Sequence, residues 1–193
     1  MTLYGTPRSH FARIVRIVAA QLETELDWVD VGNVGAPEPF GGNPLMRVPV
    51  LVDGERALYD SHDICVYLTE EAGIDPLGIL QPSWADRNRL TVIRGVMDAE
   101  VRLILAERAG MATEGAVFDK ARATIALGVA WLEEQLDHDA ELDYRWVAAV
   151  AMWDHLVACG NAVEAPRVAA TAARLTAAHP ALARTGPGMP VGG

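Results

Sequence analysis

Asn43-Pro44-Leu45-Met46-Arg47-Val48-Pro49-Val50-Leu51-Val52-Asp53-Gly54, followed by Tyr59-Asp60-Ser61, is the stretch on which the fold turns. Pro49 has no N–H to give to a strand ladder, so it belongs at a strand start or an exposed edge, and a cis bond before it suits that place. Val48 then keeps free backbone groups. The run reads as a sheet edge on which an extended peptide can pair through main-chain hydrogen bonds. Val50-Leu51-Val52, the turn Asp53-Gly54 and Ala57-Leu58-Tyr59 make a hairpin, and Ser61 is expected to cap a helix reaching about Ala72.

Working outward, Thr2-Leu3-Tyr4 is a short strand broken by Gly5-Thr6-Pro7. A helix follows whose apolar face is Phe11, Ile14 or Val15, Val18 and Leu22. Glu25 to Val31 alternates with period two, and the Gly/Pro-rich stretch from Gly32 to Pro44 reads as loop with at most a short helix. Beyond Pro76 and Pro82 only helical periodicity remains. Its stripes are Leu90, Ile93, Met97, Val101 and Ile104; Ile125, Val129, Leu132 and Leu136; Trp146, Val150, Trp153 and Val157; and a weaker Val168, Ala172 and Leu175. The expected division is residues 1–75 as an α/β domain, 76–84 as linker, 85–184 as a helical bundle and 185–193 as a flexible tail.

Composition narrows the function classes. The chain has 193 residues, 51% of them hydrophobic, enough for a substantial core. Its formal net charge of -10 opposes nucleic acid and anionic membranes, and no basic aromatic-interleaved patch offsets it. Residues 1–10 contain no apolar signal core, and the run Val147 to Trp153 is too short to cross a bilayer. A soluble, cytoplasmic protein is expected. The two cysteines, Cys65 and Cys159, are far apart and read as small buried hydrophobes, and the five histidines lack metal-ligand spacing. Neither a disulfide framework nor a bound metal is expected.

Three ordered motifs carry a resemblance that covers nearly the whole chain: Leu3-Tyr4 with Ser9-His10-Phe11-Ala12-Arg13-Ile14-Val15-Arg16, then Asn43-Pro44 through Val48-Pro49-Val50-Leu51, then Asp60-Ser61. Together they resemble the cytosolic glutathione transferases of serine type. The resemblance implies a thioredoxin-like N-terminal domain with a mixed four-stranded sheet, followed by an all-helical domain. It implies glutathione as co-substrate, with its cysteinyl backbone on Val48 before Pro49 and its γ-glutamyl end on Asp60 and Ser61. Ser9 falls where many members place the catalytic serine or cysteine. The expected reaction is thiolate attack on a small hydrophobic electrophile, and a homodimer is expected, with the first domain of each subunit against the partner's helical domain. A glutathione-dependent isomerase or peroxidase, or a glutathione-binding or interaction module with little turnover, are the rival readings.

Several residues keep two readings. Ser9 is a thiol-activating hydroxyl or simply the N-cap of the helix opening at His10. His10 is a ligand contact or a solvated helix-start histidine. Arg8, Arg13 and Arg16 raise the local potential or face water, as arginines on an amphipathic helix usually do. The segment before Asn43 has no side chain for the glycine carboxylate of glutathione, which leaves Arg47 as a substitute or as a solvated cation. Trp131, Trp146 and Trp153 read as core. Asp154-His155 is discounted as a dyad because adjacent helix positions point apart. Asp143 is expected to cap the helix of Trp146 without a reciprocal capping partner.

Overall fold

The computed structural model describes residues 1–189. Four short strands, β1 (Thr2–Gly5), β2 (Asp27–Asp30), β3 (Val50–Asp53) and β4 (Arg56–Tyr59), form one mixed sheet in the order β2-β1-β3-β4. β1 runs parallel to β2 and antiparallel to β3, and β3 is antiparallel to β4. The helices α1 (His10–Gln21) and α2 (Ser61–Ala72) pack together beside the sheet. The arrangement is thioredoxin-like. The Gly32–Pro44 stretch is loop apart from one 3₁₀ turn at Phe40–Gly42. Pro49 does stand at a strand start, and the Val48–Pro49 bond is cis. The sheet-edge expectation needs correction, however: β3 is hydrogen-bonded on both sides, and Val48 is free because it precedes the paired segment.

Five helices complete the chain: α3 (Trp84–Arg108), α4 (Ala116–Gln135), α5 (Tyr144–Ala158), α6 (Pro166–Ala178) and α7 (Pro180–Arg184). The expected stripes of α4 and α6 are wholly buried. That of α3 is buried at Leu90, Ile93 and Met97 and then drifts through Glu100 to Leu103, leaving Val101 and Ile104 half-buried. Trp146 and Val150 of α5 are core, whereas Val157, in its last turn, is exposed. Trp131 is also outside the core, at the mouth of an apolar groove between α3 and α4. Those helices approach closely because Gly128 faces Val96, where a Cβ would come within 2.5 Å of the valine side chain. Asp143 caps α5 by accepting from Trp146 N at 3.0 Å, and Arg145 pairs with the same carboxylate.

The connection between α2 and α3 is packed rather than loose. Gly73 ends α2 in the left-handed region, Leu77 and Ile79 are buried, and Asp75 accepts from the N–H groups of Ile79 and Leu80. Tyr144 N donates to Leu77 O at 3.0 Å. One continuous core therefore runs from Leu3 and Ile14 through Ile93 and Met97 to Trp146 and Leu175.

Arg13 crosses the same boundary and does not face water. Its guanidinium is buried, with Nη2 on Asp154 Oδ2 at 2.8 Å and on Leu182 O at 3.2 Å, Nη1 on Val150 O at 3.5 Å and Nε on Thr185 Oγ1 at 3.5 Å. Thr185, where the tail was expected to begin, is itself buried by this contact; residues 190–193 of that tail lie outside the described residues. Removing one partner of a buried ion pair strands the other, at about 3 kcal/mol or more. Arg13→Ala is expected to lower unfolding stability by about 3 kcal/mol in urea titrations, with Arg13→Lys, which cannot span four acceptors, recovering less than half of it.

Candidate functional site

The register of three strands brings the expected site residues to one end of the sheet. Tyr4 of β1 lies opposite Val50 of β3, and Val50 lies opposite Tyr59 of β4. Ser9 follows the end of β1 by four residues, Val48 precedes Val50 by two, and Asp60 follows Tyr59 directly. Because β3 is antiparallel to both neighbours, all three segments leave the sheet on the same side. Adjacent strands are about 4.8 Å apart, so the row from β1 to β4 spans about 10 Å.

The last position of β1 is a glycine, Gly5, where a side chain would meet Trp28 at 2.7 Å and Ala12 at 2.9 Å. The chain then turns, with Ser9 N donating to Thr6 O at 3.0 Å. Ser9 is the N-cap of α1: its Oγ accepts from Ala12 N at 3.1 Å. Capping uses only the oxygen lone pair. The hydroxyl proton has no acceptor among the described residues, so the capping and donor roles are compatible. The first turn of α1 carries no acidic residue to oppose the positive end of the helix dipole.

Asn43 shapes the segment that presents Val48. It is buried, accepts from Leu45 N through Oδ1 at 2.9 Å, donates from Nδ2 to Arg47 O at 3.0 Å and accepts from Met46 N at its carbonyl. Met46 takes φ 54° within this turn. Neither the N–H nor the C=O of Val48 has a partner among the described residues. Arg47 is exposed, and its guanidinium has no partner among the described residues.

Asp60, not Ser61, is the N-cap of α2. Its Oδ1 accepts from His62 N at 2.9 Å, which places Ser61 at the first helical position, and it adopts φ 69°. The cap shifts by one because Asp60 reaches the second helical amide. Ser61 is buried, and its hydroxyl has no partner among the described residues.

His10 departs from both sequence readings. It is buried against Phe11 and His155, with ring centroids 4.6 Å and 4.1 Å away, and turns from solvent toward Glu100. Burial, then the neighbouring His155, holds its pKa well below the ordinary 6.5. At 2% exposure it offers no surface to a ligand of tripeptide size. Cys65 is buried as expected, and burial pushes its thiol far above the ordinary range. Cys159 is exposed, contrary to expectation, because it follows the last turn of α5. Asp154 and His155 do point apart, the first to Arg13 and the second to Glu100.

Residues 3–76 match the family described as glutathione S-transferase, N-terminal domain. A glutathione transferase family member from Pseudomonas fluorescens Pf-5, solved with bound glutathione, is 26% identical and superposes at a TM-score of 0.80 over 98% of this chain and 99% of its own. A glutathione S-transferase from Methylobacillus flagellatus KT, solved with GSH bound, is 25% identical at a TM-score of 0.79 over 96% of this chain and 98% of its own. The chain has the glutathione transferase fold, and residues 3–76 match the N-terminal domain of that family. A curated relative, the stringent starvation protein A homolog of Coxiella burnetii, is 36% identical over 98 residues; the match covers 49% of this chain and 46% of that protein.

Within this glutathione transferase fold, sequence reasoning passed over the buried Glu100, read Arg13 as a cation that raises the local potential or faces water, and gave Asn43 no role of its own. Glu100 carried a readable signal, since it continues the Ile93, Met97 stripe at the next helical step, where a carboxylate needs a partner. Ser9 makes a measurable contribution as a cap alone. Ser9→Ala is expected to cost about 1 kcal/mol of stability in chemical denaturation, and Ser9→Gly only a few tenths.

Proposed function

We propose that this chain is a glutathione transferase of serine type. Glutathione lies along the end of the sheet with its thiol at Ser9, its cysteinyl backbone on Val48 and its γ-glutamyl end on Asp60 and Ser61. The observation that carries this reading is the spacing. An extended tripeptide spans about 10–11 Å, close to the row of three strand ends from which these residues project. Val48 offers an unpaired N–H and C=O midway, and Asp60 Oδ2 is left free for an ammonium while Oδ1 caps α2. The first amides of α2 and the Ser61 hydroxyl suit a carboxylate. Arg47 holds the glycine carboxylate, as the exposed cation nearest Val48 in the chain.

The chemistry needs a thiolate. A thiol near pKa 8.5 is about 3% ionised at pH 7; lowering it by about two units requires about 2.7 kcal/mol and ionises about three quarters of it. A hydrogen bond from Ser9 Oγ to the thiolate supplies about 1.5–3 kcal/mol, and the N-terminus of α1 adds up to about 1 kcal/mol. The thiolate then attacks a small hydrophobic electrophile. A serine at position 9 forms no mixed disulfide with glutathione, which disfavours thiol–disulfide exchange there. We place the domain division at residues 1–75, 76–84 and 85–184, and assign the protein to the cytoplasm; among the described residues no helix is long and apolar enough to cross a membrane.

Ser9→Ala is expected to raise the pKa of bound glutathione, followed by thiolate absorbance, by about 1–2 units. Conjugation of a generic aryl halide at pH 7 should fall about 3–25-fold with the loss of thiolate, while glutathione affinity by calorimetry changes little. Asp60→Asn should do the reverse, weakening binding. Undiminished turnover in Ser9→Ala removes that residue from the mechanism. The relative named as a stringent starvation protein favours a second reading, a glutathione-binding interaction module; tight glutathione binding without turnover on an electrophile panel would select it.

The chain also forms a homodimer in this reading, with the apolar groove between α3 and α4 at the interface. Leu127 is 73% exposed and Trp131 37% exposed there, with Val92 and Gly95 on the facing helix. Light scattering should give twice the 20.8 kDa chain mass, and Leu127→Arg should halve it. A wild-type mass of one chain contradicts the dimer.

A further inference from the structure

Directly behind Ser9, three helices bring His10, Glu100 and His155 together in the interior, and the glutathione chemistry uses none of them. Glu100 is fully buried. Its Oε1 lies 3.4 Å from Asn161 Nδ2, and its Oε2 lies 2.7 Å from His155 Nδ1 and 3.7 Å from His10 Nδ1. One ligand atom from each of the three residues falls within 4.8 Å of the others. Both nitrogens of His10 are buried without a hydrogen-bond partner among the described residues. A buried imidazole with two unpaired nitrogens is costly unless something occupies the space it faces.

We propose that His10, Glu100 and His155 form a binding site for a divalent first-row transition metal ion, zinc being the best match to the donors. Two imidazoles and one carboxylate suit zinc and exclude the all-oxygen ions magnesium and calcium. With bonds of about 2.0–2.1 Å, tetrahedral donors stand about 3.3 Å apart. The His10–Glu100 separation is already near that value. The His155–Glu100 separation opens by about half an ångström when the ion replaces the proton between them. Asn161 on the second carboxylate oxygen orients Glu100, as partners of metal ligands commonly do. The exposed Cys159 lies on the outer side of His155, with Sγ 3.9 Å from its Nδ1 and 3.8 Å from its Nε2. The site is independent of the glutathione reading. The ion joins α1 to α3 and α5 one residue beyond Ser9 and holds the turn that carries it.

The test uses the full chain, stripped with chelator and titrated with cobalt(II) and zinc(II) without glutathione. One ion should bind per chain, with visible cobalt d–d bands that zinc abolishes and with a higher melting temperature. His10→Leu should weaken binding by about 100-fold or more. X-ray absorption at the zinc edge of the wild-type chain should show two imidazoles, a readout that stands even if His10→Leu fails to fold. The proposal is overturned if neither ion binds at millimolar concentration, or if the absorption spectrum lacks imidazole scattering. Binding that persists in His10→Leu but disappears in Cys159→Ser overturns it too, since the ion then sits on the surface thiol.

Discussion

The guanidinium of Arg13 is the constraint on which the rest of the structure depends. It sits on α1, the helix whose N-terminus carries Ser9, and its acceptors belong to α5, α7 and the residue after α7. A buried arginine has no water to fall back on, so those acceptors must remain in place together. The consequence is positional. The end of α1 that carries Ser9 is fixed against the helical domain, and the α/β unit cannot swing independently of the bundle. The Glu100–His155 contact beside His10 and the packed Leu77–Ile79 strap reinforce the same junction from two other sides.

On that frame the site is assembled from strand ends rather than from any single loop. Tyr4, Val50 and Tyr59 share one row across the sheet, and each strand hands over to a segment with a different hydrogen-bonding character. One is a capped helix with a free hydroxyl proton, one an unpaired stretch of backbone before the cis Val48–Pro49 bond, and one a second helix N-terminus with a half-used carboxylate. These are the three chemistries that a thiol, a peptide backbone and an amino-acid terminus require. Asn43 keeps the middle element free, because it satisfies the turn around it without touching Val48.

Much of this was legible in the residues. Pro49 marked a strand start because a residue without an N–H has few places in a sheet, and the stripes of α4 and α6 were buried as their spacing implied. What could not be read was the sheet order, which is set by pairing between distant strands and turned an expected edge into a central strand. Arg13 and His10 were misread for a related reason. Periodicity registers apolar faces, whereas a buried polar residue is explained by its partner, and Arg13 finds partners 141 and 172 positions away. The cap of α2 was displaced to Asp60 by one hydrogen bond, a distinction Asp-Ser alone does not encode.

The central claim is that a tripeptide lies across those strand ends with its thiol at the cap of α1. A crystal structure of the chain with glutathione measures this directly. The account predicts the sulfur within hydrogen-bond reach of Ser9 Oγ, the cysteinyl N–H and C=O paired with Val48, and the γ-glutamyl group against Asp60 and Ser61. Glutathione bound elsewhere, or with its sulfur directed away from Ser9, contradicts it.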